Sequence, residues 1–396
     1  MAAATPNRRV PIPRTVWALG FVSMFMDISS EIIHALLPLF LTATLGVSVA
    51  MVGLIDGLAE ATASITKVFS GYISDRMGKR KPLILIGYGI GALSKPLFAL
   101  AGTAPLIMGA RFADRIGKGL RGAPRDALVA DVTPPEIRGR AFGLRQSIDT
   151  VGAFLGPLIA IAAMAAFAND MRAVFWLAVI PAAIAVLLVL VGVEDAKVSP
   201  GETSARVPVR MADLLLLPNA FWLLVAIGAV FTLARFSEAF LILKANAEGL
   251  PLALTPLVLV AMNAVYMLAA YPLGSLSDRV NAKAMLIGGL IVLIAADLAL
   301  AMLPGVAGVF VGIGLWGLHM AVTQGLFAKL IADRSPPELR GSAYGIFNLV
   351  TGLALLAASV IAGIVWDASG PAVTFFVGAG CAGVALAGLL FAKIRK

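Results

Sequence analysis

Apolar stretches alternate along the whole chain with short polar connections. An α-helix rises ~1.5 Å per residue, so roughly twenty apolar residues are enough to cross the ~30 Å hydrocarbon core of a bilayer. The pattern therefore predicts an all-α membrane protein with twelve transmembrane helices. The predicted spans are 15–41, 48–72, 82–100, 104–128, 140–166, 171–193, 221–244, 253–275, 284–302, 306–332, 341–365 and 370–392.

The longest polar connection, at 194–218, divides these spans into two groups of six. We therefore predict an N-terminal six-helix bundle over 1–193, a cytoplasmic linker over 194–220 and a C-terminal six-helix bundle over 221–396. Two motifs of the first half return in the second at nearly the same offset: ADVTPPEIRGRAFG returns as ADRSPPELRGSAYG, and GYISDR returns as GSLSDR. Such repetition indicates two pseudo-symmetric copies of one unit in parallel orientation.

Composition supports this class, because 60% of the residues are hydrophobic and 13% are charged. The net charge of +9 would favour nucleic-acid binding in a soluble protein. Here the basic residues concentrate in connections that the order of the spans places on one side of the membrane. By the positive-inside rule that side is cytoplasmic. We therefore predict a multi-pass protein of the cytoplasmic (inner) membrane, with both termini in the cytoplasm and no nucleic-acid partner.

Three arginines precede the first span, as they would in a signal peptide, but this span is long and contains two carboxylates. We therefore predict that it is retained as a helix. The single cysteine, Cys381, excludes an intrachain disulfide and a cysteine-based metal site. The two histidines and the absence of a catalytic motif predict that the chain is neither an enzyme nor a metal-binding protein.

Charged residues inside the predicted spans are the strongest indication of a functional site. Each costs about 2.5–3.5 kcal/mol at the bilayer centre on insertion scales, so it must face protein or water. Such residues follow one face of the first, second, fourth and seventh spans, which predicts a water-filled or substrate-filled cavity. Structural pairing between helices is the alternative, and we expect it for Asp114 with Lys118. The predicted cavity residues are His34, Asp56, Glu60, Arg111, Lys118, Arg235 and Glu238.

Three motifs resemble those of the major facilitator superfamily of secondary transporters. The sequence GYISDRMGKRK at 71–81 resembles its motif A, with a weaker copy at 274–283, and RIGKG at 115–119 is similar to motif B. The fifth span resembles motif C, which that family associates with antiporters, through Gly143, Gly152, Gly156 and Pro157. The resemblance implies a twelve-helix transporter that works by alternating access, with helices 1 and 4 lining the cavity.

The motif A segment has a physical interpretation of its own. The Asp75 carboxylate can accept hydrogen bonds from a helix N-terminus, or pair with an arginine, across the interface between the halves. This would latch one conformational state, whereas a plain solvated turn is the alternative. The predicted latch residues are Gly71, Asp75, Arg76, Gly78, Arg80, Asp278 and Arg279. In the fifth span the glycines would permit close helix packing and the proline a bend, or they are ordinary packing residues.

Counting from the span ends places Glu31 and Arg115 at similar depth near the midplane. A carboxylate that alternates between an arginine partner and an apolar setting would bind and release a proton. We therefore predict that Glu31, assisted by Asp27, couples transport to protons and that Arg115 controls it.

These features predict a secondary active transporter that exports a small molecule and is driven by the proton gradient. We expect it to need no cofactor and to work as a monomer in the lipid bilayer. Proton-coupled uptake of a small anionic or zwitterionic solute is the alternative.

Overall fold

The computed structural model describes residues 11–77, 79–134, 137–195, 217–276, 280–336 and 339–391. Within these ranges the chain is helical and contains no β-strand. Ten helical segments are long and apolar enough to cross a membrane. The chain is therefore a multi-pass α-helical membrane protein.

The described part of the first half contains eight α-helical segments. Their bounds are α1 (Arg14–His34), α2 (Leu37–Leu39), α3 (Val49–Met77), α4 (Lys81–Leu100), α5 (Ala104–Val132), α6 (Arg138–Ala166), α7 (Met171–Leu177) and α8 (Val179–Gly192). A π-helical turn, Phe40–Thr44, follows α2 and completes the first span.

The described part of the second half contains seven α-helical segments. Their bounds are α9 (Asn219–Leu233), α10 (Ala239–Ala247), α11 (Leu257–Leu276), α12 (Ala282–Met302), α13 (Gly305–Asp333), α14 (Arg340–Ser369) and α15 (Pro371–Phe391).

Two predicted spans are not among the ten apolar segments. The fourth span corresponds to α5, whose many charged residues lower its hydropathy. The seventh span was predicted as one continuous helix over 221–244, and this is wrong: α9 ends at Leu233 and α10 begins at Ala239. Arg235 and Glu238 interrupt the apolar pattern here, but they were interpreted as cavity-lining residues of one helix and not as the sign of a break. The interruption between α9 and α10 is called the helix break below.

Motif A also differs from its predicted form as a loop. Helix α3 continues to Met77, so Asp75 and Arg76 lie in its last turn. The side chain of Asp75, and all of Gly78, Asp278 and Arg279, lie outside the described residues. Because α3 extends to Met77, the connection between α3 and α4 is shorter than expected.

Within each half, long helices pack side by side: α1 against α6 and α8, and α12 against α13 and α15. The predicted close packing in the fifth span is confirmed at two of its glycines, because Gly152 lies against the Met24 carbonyl and Gly156 against Glu31. Gly143 has open space instead. Helix α6 continues through Pro157.

The halves meet along two helix pairs, α3 with α14 and α6 with α11. Glycines bring the first pair together along most of its length. A Cβ added at Gly57 would lie 2.9 Å from Leu356 Cα, and one at Gly363 would lie 2.6 Å from Ala50 Cα. The backbones of α3 and α14 are thus in direct contact.

Candidate functional site

Buried ion pairs connect α5 to both neighbouring helices. Arg111 donates to Asp56 on α3 at 2.6 Å, and Arg115 lies 3.2 Å from Glu60, one turn further along α3. These residues recur with helical spacing on both helices, so successive turns place their opposite charges side by side. Pairing offsets part of the cost of burying Arg111 and Arg115, which are 3% and 4% exposed.

A third buried pair corrects a prediction from the sequence. Asp114 accepts a 2.7 Å hydrogen bond from Lys95 on α4, and not from Lys118 as expected. Lys95 also donates to the Ser30 hydroxyl at 3.0 Å. Lys118 is exposed and forms no ion pair within the described residues. The structure thus leaves Lys118 available to other groups.

The predicted coupling residues lie near one another, but in different pairs. Glu31 lies 3.5 Å from His34 on the same helix, while Arg115 is engaged by Glu60. In this conformation Arg115 therefore does not pair directly with Glu31. The partners of Glu31 and Arg115 are both residues that the sequence had assigned to the cavity.

A cavity of about 230 Å³ lies between the halves. It is lined by α1, α6, α11 and α13, and Asp27 is the member of the predicted site that lines it. Its walls combine carboxylates, amides and hydroxyls with apolar side chains. The polar lining residues are Asp27, Gln146, Asp149, Thr150, Asn263, Tyr266 and Gln324.

Asp149 is the cavity residue whose importance the sequence reasoning missed. Its carboxyl group lies within hydrogen-bonding reach of Asp27. One oxygen, Oδ1, is buried without a hydrogen-bond partner among the described residues, and Oδ2 lies 3.8 Å from Arg145. The available signal was a carboxylate within an apolar span, but nothing in the spacing connected it to Asp27. Two adjacent carboxyl groups can share a proton.

The helix break contributes a polar link between the halves. Ser237 donates a 2.6 Å hydrogen bond from its hydroxyl to Asp56 Oδ2, and its backbone N–H donates to Ser359 Oγ at 3.1 Å. Arg235 and Glu238, both predicted cavity residues, flank this serine and are half-buried. The break thus joins α3, α14 and the two ends of the interrupted helix.

A second link lies beside the start of α3. The Asp367 carboxylate at the end of α14 accepts hydrogen bonds from Val49 N–H at 3.0 Å and Ala50 N–H at 2.8 Å. The first N–H groups of a helix have no partner within the helix and attract negative charge. Asp367 therefore caps a helix of the other half, on the side of the membrane opposite the motif A connection.

At the motif A connection, the described contacts remain within the first half. Arg80 donates to Ser74 Oγ at 2.7 Å and lies 3.3 Å from Asp131. Asp195, after α8, accepts from the backbone N–H groups of Arg80 and Lys81. Arg76 is exposed, and Gly71 makes ordinary contact with Ala123. A latch between the halves at this end stays a prediction.

Comparison with known proteins identifies the family. The Major Facilitator Superfamily model matches residues 19–265 and 239–396. The chain belongs to the Major Facilitator Superfamily. Its members are transporters, not enzymes. An uncharacterised MFS-type transporter of Methanocaldococcus jannaschii is 31% identical over 93% of this chain and 92% of its own length.

Other members of the superfamily resemble the chain more distantly. The multidrug resistance protein MdtH of Photorhabdus laumondii is 32% identical over 36% of this chain and 35% of its own length. The crystal structure of the nucleoside transporter NupG superposes with a TM-score of 0.76 at 13% identity, covering 95% of this chain and 98% of that one. The NupG likeness establishes the fold alone.

This Major Facilitator Superfamily transporter has two chemically different halves. The described ion pairs that lie deep between helices belong to the first half. The second half instead packs aromatic rings around the helix break, where Phe236 contacts Phe240, Trp316 and Phe375 at centroid distances of 5.2, 5.6 and 5.4 Å. Within the described residues, no group of three His, Cys, Asp or Glu side chains could hold a metal ion.

Proposed function

We propose that this transporter has twelve membrane spans in two six-helix bundles and exports a small molecule by proton-coupled alternating access. Helix α5 and the pair α9 with α10 supply the two spans beyond the ten apolar segments. The basic connections then face the cytoplasm, with both termini, in the inner membrane. The protein works as a monomer and needs no cofactor beyond the proton gradient.

The observation that carries this proposal is the cavity between the halves whose lining includes the Asp27 and Asp149 carboxyl groups close together. Two carboxylates so close repel each other when both are ionised, so the pair holds one proton readily. A substrate or conformational change that separates them, or brings Lys118 nearer, favours release of that proton. The predicted coupling set of Asp27, Glu31 and Arg115 is thereby extended by Asp149.

Export is favoured over uptake by two features. The fifth span resembles the antiporter motif, and its Gly152 and Gly156 pack against α1 beside Asp27 and Glu31. The partial match to MdtH, named as a multidrug resistance protein, points the same way. A conformational change in α6 would therefore act directly on the helix that holds the coupling carboxylates.

Uptake of an anionic or zwitterionic solute is the second candidate, and Lys118 favours it. This exposed lysine forms no ion pair within the described residues. It could therefore bind a substrate carboxylate or phosphate without breaking an existing pair.

Transport into vesicles distinguishes the two. Inverted vesicles that contain the protein should accumulate a radiolabelled substrate when their interior is acidified, whereas right-side-out vesicles should accumulate it only if the protein is a symporter. The Asp149→Asn variant, which keeps the shape of the side chain, should lose proton-driven accumulation and keep substrate exchange. Thr150→Ser, a change at the neighbouring lining residue, is the matched control.

A further inference from the structure

Asp297, in the middle of α12, is a buried carboxylate that the proposed mechanism does not use. Its side chain is 0% exposed, and neither Oδ1 nor Oδ2 has a hydrogen-bond partner within the described residues. An ionised carboxylate in such a setting is strongly destabilised, because it loses hydration and gains no opposite charge. Carboxylates of this kind within a membrane usually have a function.

Space for this carboxyl group depends on a glycine. A Cβ added at Gly378 on α15 would lie 2.7 Å from Asp297 Oδ2 and 3.0 Å from Phe236 Cε1. The carboxyl group and the Phe236 ring therefore both lie beside Gly378. Phe236 belongs to the helix break, so a ring of the break lies beside the same glycine as the Asp297 carboxyl group.

In the part of the chain that the structure describes, no charged group of the surrounding elements pairs with Asp297. On α13, His319 makes its described hydrogen bond with the Gly289 carbonyl, at 2.8 Å from Nδ1. On α15 the titratable residue is Cys381, which is exposed. In the break, Arg235 and Glu238 are half-buried, and neither forms a described ion pair with Asp297.

We propose that Asp297 is a second proton-binding site, located in the second half and opened by movement of the helix break. With Phe236 in place, the carboxyl group keeps its proton. When the break rearranges and Phe236 withdraws, water reaches the carboxyl group, its O–H bond breaks and the proton passes to that water. The carboxylate takes up a proton again before Phe236 returns. The role of Asp297 in coupling rests on the proposed proton-coupled function. The protonation of its carboxyl group can be measured whether or not the protein transports anything.

The break is suited to this control because it senses both halves. Ser237, the residue after Phe236, is bonded to Asp56 of the first half and to Ser359 of α14. Separation of the halves at this point would remove the bond to Asp56, the one of the two that crosses between the halves, and free the adjacent phenyl ring to move. Proton exchange at Asp297 would therefore accompany the change of conformation.

Infrared difference spectroscopy of the purified full-length protein tests the site directly. We expect the wild type at neutral pH to show the C=O stretching band of a protonated carboxyl group that Asp297→Asn lacks. Phe236→Ala, which keeps Asp297 but admits water, should weaken the same band. Asp170→Asn, a change at an exposed helix-capping carboxylate, should leave it unaltered.

A wild-type spectrum identical to that of Asp297→Asn in this region would overturn the proposal, as would a band that Phe236→Ala leaves at full strength. In vesicles, Asp297→Asn should lose proton-driven accumulation while substrate exchange persists. Normal accumulation by this variant would overturn the coupling role. A third outcome separates the two proposals. If the Asp297 band is present but a proton gradient drives accumulation in neither the wild type nor the variants, the proposed proton-coupled function is wrong, while protonation of Asp297 is confirmed.

Discussion

The Ser237 hydroxyl donates a 2.6 Å hydrogen bond to Asp56, although the two residues belong to different halves of the chain. Asp56 uses its other oxygen to accept from Arg111 at 2.6 Å. The buried Asp56 carboxylate therefore connects the ion-paired residues of the first half to the helix break of the second. The halves cannot separate here without breaking a hydrogen bond to a charged group.

Ser237→Ala should favour the conformation in which the halves separate beside the helix break. Hydrogen bonds to charged groups contribute about 1.5–3 kcal/mol, so the ratio of conformations should change by roughly tenfold or more. Spin labels at Thr103 and Ala247, exposed residues of the two halves, should then report longer distances. Thr232→Ala is the control, because that hydroxyl bonds within its own helix. Equal distance distributions in both variants would show that the link does not hold the halves together.

Asp367→Ala should act in the same direction through a different contact. It removes two hydrogen bonds to the start of α3 and the favourable interaction with the helix dipole, which together contribute roughly 0.5–2 kcal/mol at helix caps. The same pair of labels measures the effect. Asp170→Ala removes a cap within the first half and should leave the distances unchanged. No lengthening in Asp367→Ala would contradict a role in holding this end closed.

Glu31→Gln should uncouple transport from the proton gradient and preserve substrate exchange, because the amide imitates a carboxyl group that never releases its proton. Counterflow of labelled substrate without a gradient measures exchange, and accumulation under an imposed gradient measures coupling. Asp149→Asn should have the same effect if the Asp27 pair holds the proton. Should Glu31→Gln accumulate substrate normally, coupling belongs to Asp27 with Asp149, or to Glu238.

Lys95→Met should lower the stability of the first half strongly, because the buried Asp114 carboxylate loses its hydrogen-bond donor and keeps only Arg115 Nε, at 3.7 Å, as an ion-pair partner. Breaking one side of a buried pair costs about 3–5 kcal/mol. The double variant Lys95→Met with Asp114→Leu should recover much of this loss. Thermal unfolding in detergent compares the three proteins. A double variant no more stable than the single one would mean that the pair contributes specific packing as well as charge balance.

Glu248, just after α10, should make stability depend on pH in the acid range. Hydrogen bonds from the Lys244 ammonium and from the Gly305 N–H lower the pKa of this carboxyl group. Because the folded pKa is below that of the unfolded chain, the contribution is complete above the unfolded value, ~4.3, and is lost as the pH falls through the folded value. Glu248→Gln should therefore reduce the melting temperature at pH 7 more than at pH 3. A constant difference across this range would contradict the assignment.

Hydropathy predicted the ten apolar segments, and charge spacing predicted the charged residues of α5, because both depend on local periodicity. They could not predict partners. Asp114 lies four residues from Lys118 in sequence, yet Lys95 reaches it from another helix. The pairing of Asp27 with Asp149 likewise depends on how closely the glycines of α6 let it approach α1.

The helix break was hidden for a related reason. Its charged residues, Arg235 and Glu238, were interpreted as cavity-lining residues of one helix, and the groups that hold the break, Ser359 for the Ser237 backbone N–H and Asp56 for its hydroxyl, come from distant parts of the chain. Only the packed structure reveals that these acceptors are available.

The contact between α3 and α14 has a mechanical consequence. Gly53, Gly57 and Gly363 bring backbone close to backbone, and Gly352 lies against the Ser64 side chain. We therefore expect one helix to be able to tilt over the other about this line of contact. A line of contact between two rigid bodies acts as a fulcrum. In the alternating access proposed above, widening on one side of this line would narrow the other side, so the cavity would open to one side of the membrane at a time.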